Sequence, residues 1–205
     1  MASPDRNQPG EERHEEDHFP IIGIAGPIAS GKETVAQILK DNFGIARFVI
    51  SDNLKRLAAA QGIKPPYSRD LLRDISLKLT DQSGPGANIQ LTHEIIQTQR
   101  ALIKMQGATI DGIRHKGEAE ELKAIPASLL IAVTAPQQLR YERALHREQE
   151  EDETFYDRFI KRDNIELAEI EPIFELADVV INNTGTPEDL ERQVIEFFIE
   201  KTSVF

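Results

Sequence analysis

Cysteine is missing altogether: the count is 0 in 205 residues. Disulfides, thiolate zinc sites and thiol nucleophiles are thereby excluded, and the composition is compatible with the cytosol. Long apolar runs are missing too. None approaches the roughly 20 residues that a membrane-spanning helix requires. The polar, acidic N-terminal stretch has no apolar core after a basic start, the mark of a secretory leader. The expectation is a cytoplasmic protein with no membrane partner. Basic residues are outnumbered, with Lys and Arg at 24 against Asp and Glu at 35, for a net charge of -11. A broad nucleic-acid groove recruits cations in excess. No nucleic-acid partner is expected, and any phosphate must be held by a local basic cluster and by backbone N–H groups. The balance gives no oligomeric state.

Residues 1–18 carry Pro, Gly, acids and Arg with almost no apolar side chain, and too little burial to offset ordering entropy predicts a disordered acidic tail. One domain is expected over 19–205. Ile21-Ile22-Gly23-Ile24-Ala25 reads as a strand buried on both faces. Helical spacing follows over 34–42, then a strand over 46–50 and a helix over 53–61. Helices are expected over 70–79 and 89–105, separated by Ser83-Gly84-Pro85-Gly86. Strands are expected over 107–111 and 129–133, a polar Arg-rich helix over 136–150, another helix over 153–169 and a last strand over 178–182. Thr186 and Pro187 supply an N-cap and a first turn for a final helix that buries Leu190, Val194, Phe197 and Phe198. Strands alternating with helices imply βαβ units, a mostly parallel sheet and ligands at its C-terminal edge.

The first strand ends in Gly26-Pro27-Ile28-Ala29-Ser30-Gly31-Lys32-Glu33-Thr34. The spacing G-x-x-x-x-G-K is the Walker A phosphate loop. Glycines let successive N–H groups point at phosphate oxygens, the following helix adds its dipole, and Lys32 reaches the β- and γ-phosphates. One departure stands out. The usual Ser or Thr after the lysine, a magnesium ligand, is Glu33 here, with Thr34 one step on toward the α-phosphate. A carboxylate can ligate Mg²⁺.

Asp52, expected just after the second strand, reads either as a carboxylate near the acceptor or metal, or as a helix cap. Asp111, expected to follow the third strand, is placed to hold Mg²⁺, and Arg114 to clamp an acceptor phosphate bidentately. Arg140, Arg143 and Arg147 fall on one helix face, and Arg158, Lys161 and Arg162 follow. In an acidic chain this concentration predicts a cap over transferring phosphates, against the plainer reading of a solvated helix pairing with its glutamates. His93, His115 and His146 lack ligand spacing, and Ser30 has no visible base partner. Asp81-Gln82-Ser83-Gly84 fits a GTPase D-x-x-G but follows a helix, and no N-K-x-D occurs.

With the strand-end Asp-Gly-Ile-Arg and the final Ile181-Asn182-Asn183-Thr184-Gly185, these residues resemble the P-loop nucleoside-monophosphate kinases over about 20–200. That group includes adenylate kinase-like, deoxynucleoside-monophosphate kinase-like and dephospho-coenzyme A kinase-like proteins. The resemblance implies a three-layer α/β/α fold with a five-stranded parallel sheet, an acceptor-binding helical insert over about 53–106 and a lid over about 137–165. It implies ATP bound by Gly26, Ala29, Ser30, Gly31, Lys32, Glu33 and Thr34, with Arg140, and with Asn183 and Gly185 near the base. Mg²⁺ would lie at Glu33 and Asp111. Lys32, Arg114, Arg143 and Arg147 would stabilise transfer, and Asp52, Arg56 and Arg114 would meet a small nucleotide acceptor. The expected activity is γ-phosphoryl transfer to a (deoxy)nucleoside monophosphate. Alternatives are dephospho-coenzyme A, with Asp52 as base, and an ATP-binding regulator with little turnover.

Overall fold

A computed structural model describes residues 19–148 and 155–203. The tail over 1–18, the end of the expected Arg-rich helix and the start of the next lie outside the described residues. The element order is β1 (Ile21–Ala25), α1 (Lys32–Phe43), β2 (Ala46–Val49), α2 (Ile50–Ala60), α3 (Arg69–Ser83), α4 (Ala87–Arg100), β3 (Ala108–Ile113), α5 (Lys116–Ala124), β4 (Ser128–Thr134), α6 (Gln137–Glu148), α7 (Phe155–Phe174), β5 (Val179–Asn182) and α8 (Pro187–Thr202). The five strands form one sheet in the order β2-β3-β1-β4-β5, and every pairing is parallel. The three-layer α/β/α fold with a five-stranded parallel sheet is therefore present as expected. Among the described residues no helix is long and apolar enough to cross a membrane.

Strand β1 explains the layers. Its side chains alternate across the sheet. Ile21 and Ala25 join a core on one face with Leu54, Ile75, Ile89 and Leu122, from α2, α3, α4 and α5. Ile22 and Ile24 join the other face with Val35, Leu39, Val194 and Phe198, from α1 and α8. Both isoleucines are fully buried, each contributing about 1.5–3 kcal/mol. Gly23 lies against α5: a Cβ there would stand 2.2 Å from Leu122 Cδ2. A third, smaller cluster packs Ile28 and Ala29 of the loop after β1 onto Ala144, Phe155 and Phe159 of α6 and α7. That cluster sets where the loop tip lies.

Several boundaries differ from the sequence pattern. Helix α2 begins at Ile50, directly after β2, because Val49 in extended conformation serves as N-cap. Ser51, Asp52 and Asn53 are consequently helical and not caps. Strand β3 runs two residues beyond Asp111, which pairs in register with Ile24 and Val49. Helix α4 stops at Arg100, and α7 continues through Pro172. Helix α5 leaves almost no periodic signal, since its buried apolar residues are only Ala119 and Leu122. Thr186 accepts from the Asp189 N–H at 3.2 Å, the cap the sequence predicts for α8.

Candidate phosphate-binding site

The loop of residues 26–31 sits at the C-terminal edge of β1, between β3 and β4, where a parallel sheet leaves a crevice. Two glycines are obligatory by geometry. Gly26 has φ 148° and Gly31 φ 106°. A Cβ at Gly26 would stand 2.2 Å from Val133 O, and one at Gly31 would stand 2.2 Å from Asn183 Nδ2. Ala29 also adopts a left-handed φ of 56°. Asn183, just past β5, donates to Ser30 O at 2.9 Å and so ties the loop to the sheet's far strand. The Ser30 hydroxyl is buried without a hydrogen-bond partner.

Lys32 opens α1 and folds back across the loop, donating to Gly26 O at 2.7 Å and Pro27 O at 2.8 Å. Burial lowers its pKa from 10.5 to about 8; Asp111 and Glu166 act against the shift, and Arg114 and Arg147 add to it. Of the expected catalytic cations, Arg114 and Arg147 thus lie within electrostatic reach of Lys32. The fourth, Arg143, donates to Asn183 O at 3.1 Å, while its Nη1 is buried without a partner.

The two expected metal ligands converge, but through a residue that sequence reasoning missed. Arg47 of β2 donates to Asp111 Oδ2 at 2.5 Å and to Glu33 Oε1 at 3.0 Å. Partial burial of Arg47 disfavours its charge; the bonds to Asp111 and Glu33 outweigh this and raise its pKa. Among the described residues no group of three or more His, Cys, Asp or Glu could hold a metal by itself. Two carboxylates beside a phosphate loop nonetheless match the way Mg²⁺ is commonly bound, by one or two protein oxygens plus phosphates. The donor set fits a metal held chiefly by a nucleotide.

Other expected positions differ in kind. Arg140 does not face the loop mouth. It is 2% exposed and forms a fork–fork pair with Asp163, with Nη2 donating to Oδ2 at 2.8 Å. It also donates to Ala135 O at 2.9 Å and to Ile28 O at 3.4 Å, so it braces the loop from behind. The helical period that groups it with Arg143 and Arg147 does not say which of them points inward. Asp52 is exposed and pairs with Lys55 at 2.8 Å, and exposed Arg56 donates to Asn53 Oδ1 at 3.4 Å on its own helix. Thr34 and Gly185 are exposed.

Two acids on α7 escaped the sequence reading. Glu166 accepts from the Ile28 N–H at 3.1 Å, and Asp163 holds Arg140. A signal existed. Phe155, Phe159, Asp163, Glu166, Ile170 and Ile173 all lie on one buried helical face, so two acids interrupt an apolar stripe. A cavity of about 370 Å³ opens beside the loop tip, lined by Ile28, Arg69, Ala144, Phe155, Arg158, Phe159 and Arg162.

This geometry defines a phosphate-loop α/β fold. Residues 22–170 match the family described as AAA domain. Solved structures sharing the fold include a Thermus thermophilus protein at 22% identity and TM-score 0.60, covering 89% of this chain and 98% of that one. A shikimate kinase from Acinetobacter baumannii, in complex with shikimate, gives 17% identity and TM-score 0.53, with 90% and 95% covered. Among curated relatives, a UPF0200 protein of Pyrococcus horikoshii is 31% identical over 179 residues, 85% of this chain and 93% of its own length. One from Sulfurisphaera tokodaii is 32% identical over 177 residues, 86% and 94%. The chain belongs to the AAA-domain family that matches residues 22–170 and, with these relatives, to the UPF0200 family.

Proposed function

We propose that this chain is an ATP-dependent phosphotransferase that moves the γ-phosphoryl group to a small nucleotide, with a (deoxy)nucleoside monophosphate as the first choice of acceptor. The observation that carries the reading is the glycine-shaped loop at the sheet edge with Lys32 folded across it, and Arg114 Nη1 held beside it at 3.4 Å from the Glu166 carboxylate that accepts from the loop. Loop amides and the start of α1 bind the inner phosphates. Lys32 exchanges the carbonyls of Gly26 and Pro27 for phosphate oxygens. The acceptor's own anionic group enters the neighbouring cavity, where Arg69, Arg158 and Arg162 offer charge and Phe155 and Phe159 offer an apolar wall. Transfer then proceeds in line, and catalysis is positioning and charge stabilisation, with no strong protein base required. Mg²⁺, when bound, would be held by Glu33 and Asp111 and would neutralise phosphate charge.

The test is ADP release from ATP and Mg²⁺ against nucleoside monophosphates, their deoxy forms, dephospho-coenzyme A and small hydroxyl acceptors, beside Lys32→Ala. Hydroxyl acceptors belong in the panel because a shikimate kinase shares the fold. Acceptor-dependent turnover that disappears in the variant supports the kinase and identifies its substrate. ATP binding with no turnover on any acceptor overturns it in favour of a nucleotide-binding regulator.

A further inference from the structure

Glu166 stands where a phosphate is expected. Its carboxylate is buried, 8% exposed, and reaches the loop from α7. Oε2 accepts from the Ile28 N–H at 3.1 Å. Oε1 faces Arg114 Nη1 at 3.4 Å and Arg162 Nε at 3.5 Å. Its charge also acts on Lys32. Every one of these partners is a donor or a cation that phosphoryl transfer would use. Ile28 and the Lys32 ammonium lie at the same end of the loop, since that ammonium is bonded to Gly26 O and Pro27 O. The lysine of such loops serves the outer phosphates, so the Ile28 amide belongs to the outer end too.

We propose that the Glu166 carboxylate is a resident anion in the terminal-phosphate position, displaced only by a ligand that brings a γ-phosphoryl group. The proposal rests on the nucleotide-binding reading and adds a coupling to it. While Glu166 is in place, Arg114 and Arg162 are engaged by it, and Arg162 lines the acceptor cavity. Arrival of the terminal phosphate releases both cations, so the acceptor anion binds more tightly after the triphosphate than before it. Helix α7 can give at Pro172, which lacks the N–H that would continue the ladder, between Glu166 and the core-anchored Ile173.

The experiment measures, by calorimetry with Mg²⁺, the affinities for ADP and for an ATP analogue with a non-hydrolysable β–γ bridge. Wild type is compared with Glu166→Gln, which keeps the shape but removes the charge, and with Glu166→Asp, which keeps the charge. Glu166→Gln is expected to bind the triphosphate about tenfold more tightly, as loss of a competing charged hydrogen bond implies, with ADP changed less than about twofold. Glu166→Asp should stay near wild type in the ratio of the two affinities. A purely structural loss would weaken both ligands together and leave that ratio unmoved, which overturns the proposal. Wild-type binding with an unchanged ratio in Glu166→Gln overturns this inference alone. No nucleotide binding by wild type overturns the phosphotransferase reading and the inference with it.

Discussion

The phosphate loop and the arginine-lined cavity share a wall, Ile28, yet they are held in different ways. The loop is braced by backbone and by buried side chains. Val133 O lies under Gly26, Asn183 under Gly31, Glu166 on the Ile28 N–H and Arg140 on the Ile28 carbonyl. The cavity is lined by long cations, of which Arg69 and Arg158 are exposed and Arg162 is half-buried. Fixed backbone can read the shape of a polyphosphate, whereas long cations read charge and tolerate several geometries. A change at Gly26, Gly31, Asn183 or Arg140 should therefore cost stability or nucleotide affinity; Glu166 is the exception, because its charge competes with the terminal phosphate, and a change at an exposed cavity cation such as Arg158 should act mainly on the acceptor.

The largest expected effect lies behind the loop. Arg140→Met leaves Asp163 buried without its counter-ion, with only Gln137 Nε2 still donating to it, which should destabilise the fold by about 3–5 kcal/mol in chemical denaturation. Adding Asp163→Leu should recover most of that loss, because a hydrophobic pair avoids the stranded charge. Gly31→Ala comes next. Its left-handed backbone and the 2.2 Å approach to Asn183 should cost about 1–3 kcal/mol of strain, read as an ATP affinity lower by about tenfold or more.

Lys32 gives a pH signature. Its pKa in the free protein is about 8, and a bound triphosphate favours the charged amine. Below that pH the amine is already charged and affinity is flat. Above it, binding must take up a proton, so ATP affinity should fall by up to about tenfold per pH unit until the bound form itself titrates. Titrations across this range check the slope, which Lys32→Arg should abolish. In the cavity, Arg158→Ala should raise the acceptor KM by about tenfold while ATP affinity moves less than about twofold; a parallel loss of ATP affinity would erase the contrast between the two regions. Asp52→Asn with Arg56→Gln should do least. Both side chains are exposed and bonded within α2, so stability should hold within about 0.5 kcal/mol and acceptor kinetics should be unchanged.

Which positions were legible in the sequence follows from the range of the interactions. The loop was legible because glycine spacing and the adjoining strand and helix are local. Lys32 was legible from the loop motif and Arg114 from its place just past β3, whereas Asp111 was expected after that strand and lies within it. Arg47 was not, because one charge in a short strand does not announce that two carboxylates from α1 and β3 will close on it. The arginine face of α6 was visible as a face, but its inward member was set by Asp163 on another helix. The start of α2 lies three residues earlier than the pattern suggests, since an extended Val49 gives no polar cap to mark it.

By itself the sequence determined the parallel α/β sheet, the phosphate loop and the acidic balance that leaves phosphate binding to a few local groups. These follow from near-neighbour sterics, hydrophobic period and composition. The tertiary structure alone decided how charge is distributed around the loop. It buried Arg140 on Asp163, set Arg47 between Glu33 and Asp111, and brought Glu166 to the Ile28 N–H, 138 positions away along the chain. A long side chain has no preferred partner until packing brings one within reach, and low-dielectric burial then makes the choice energetically decisive.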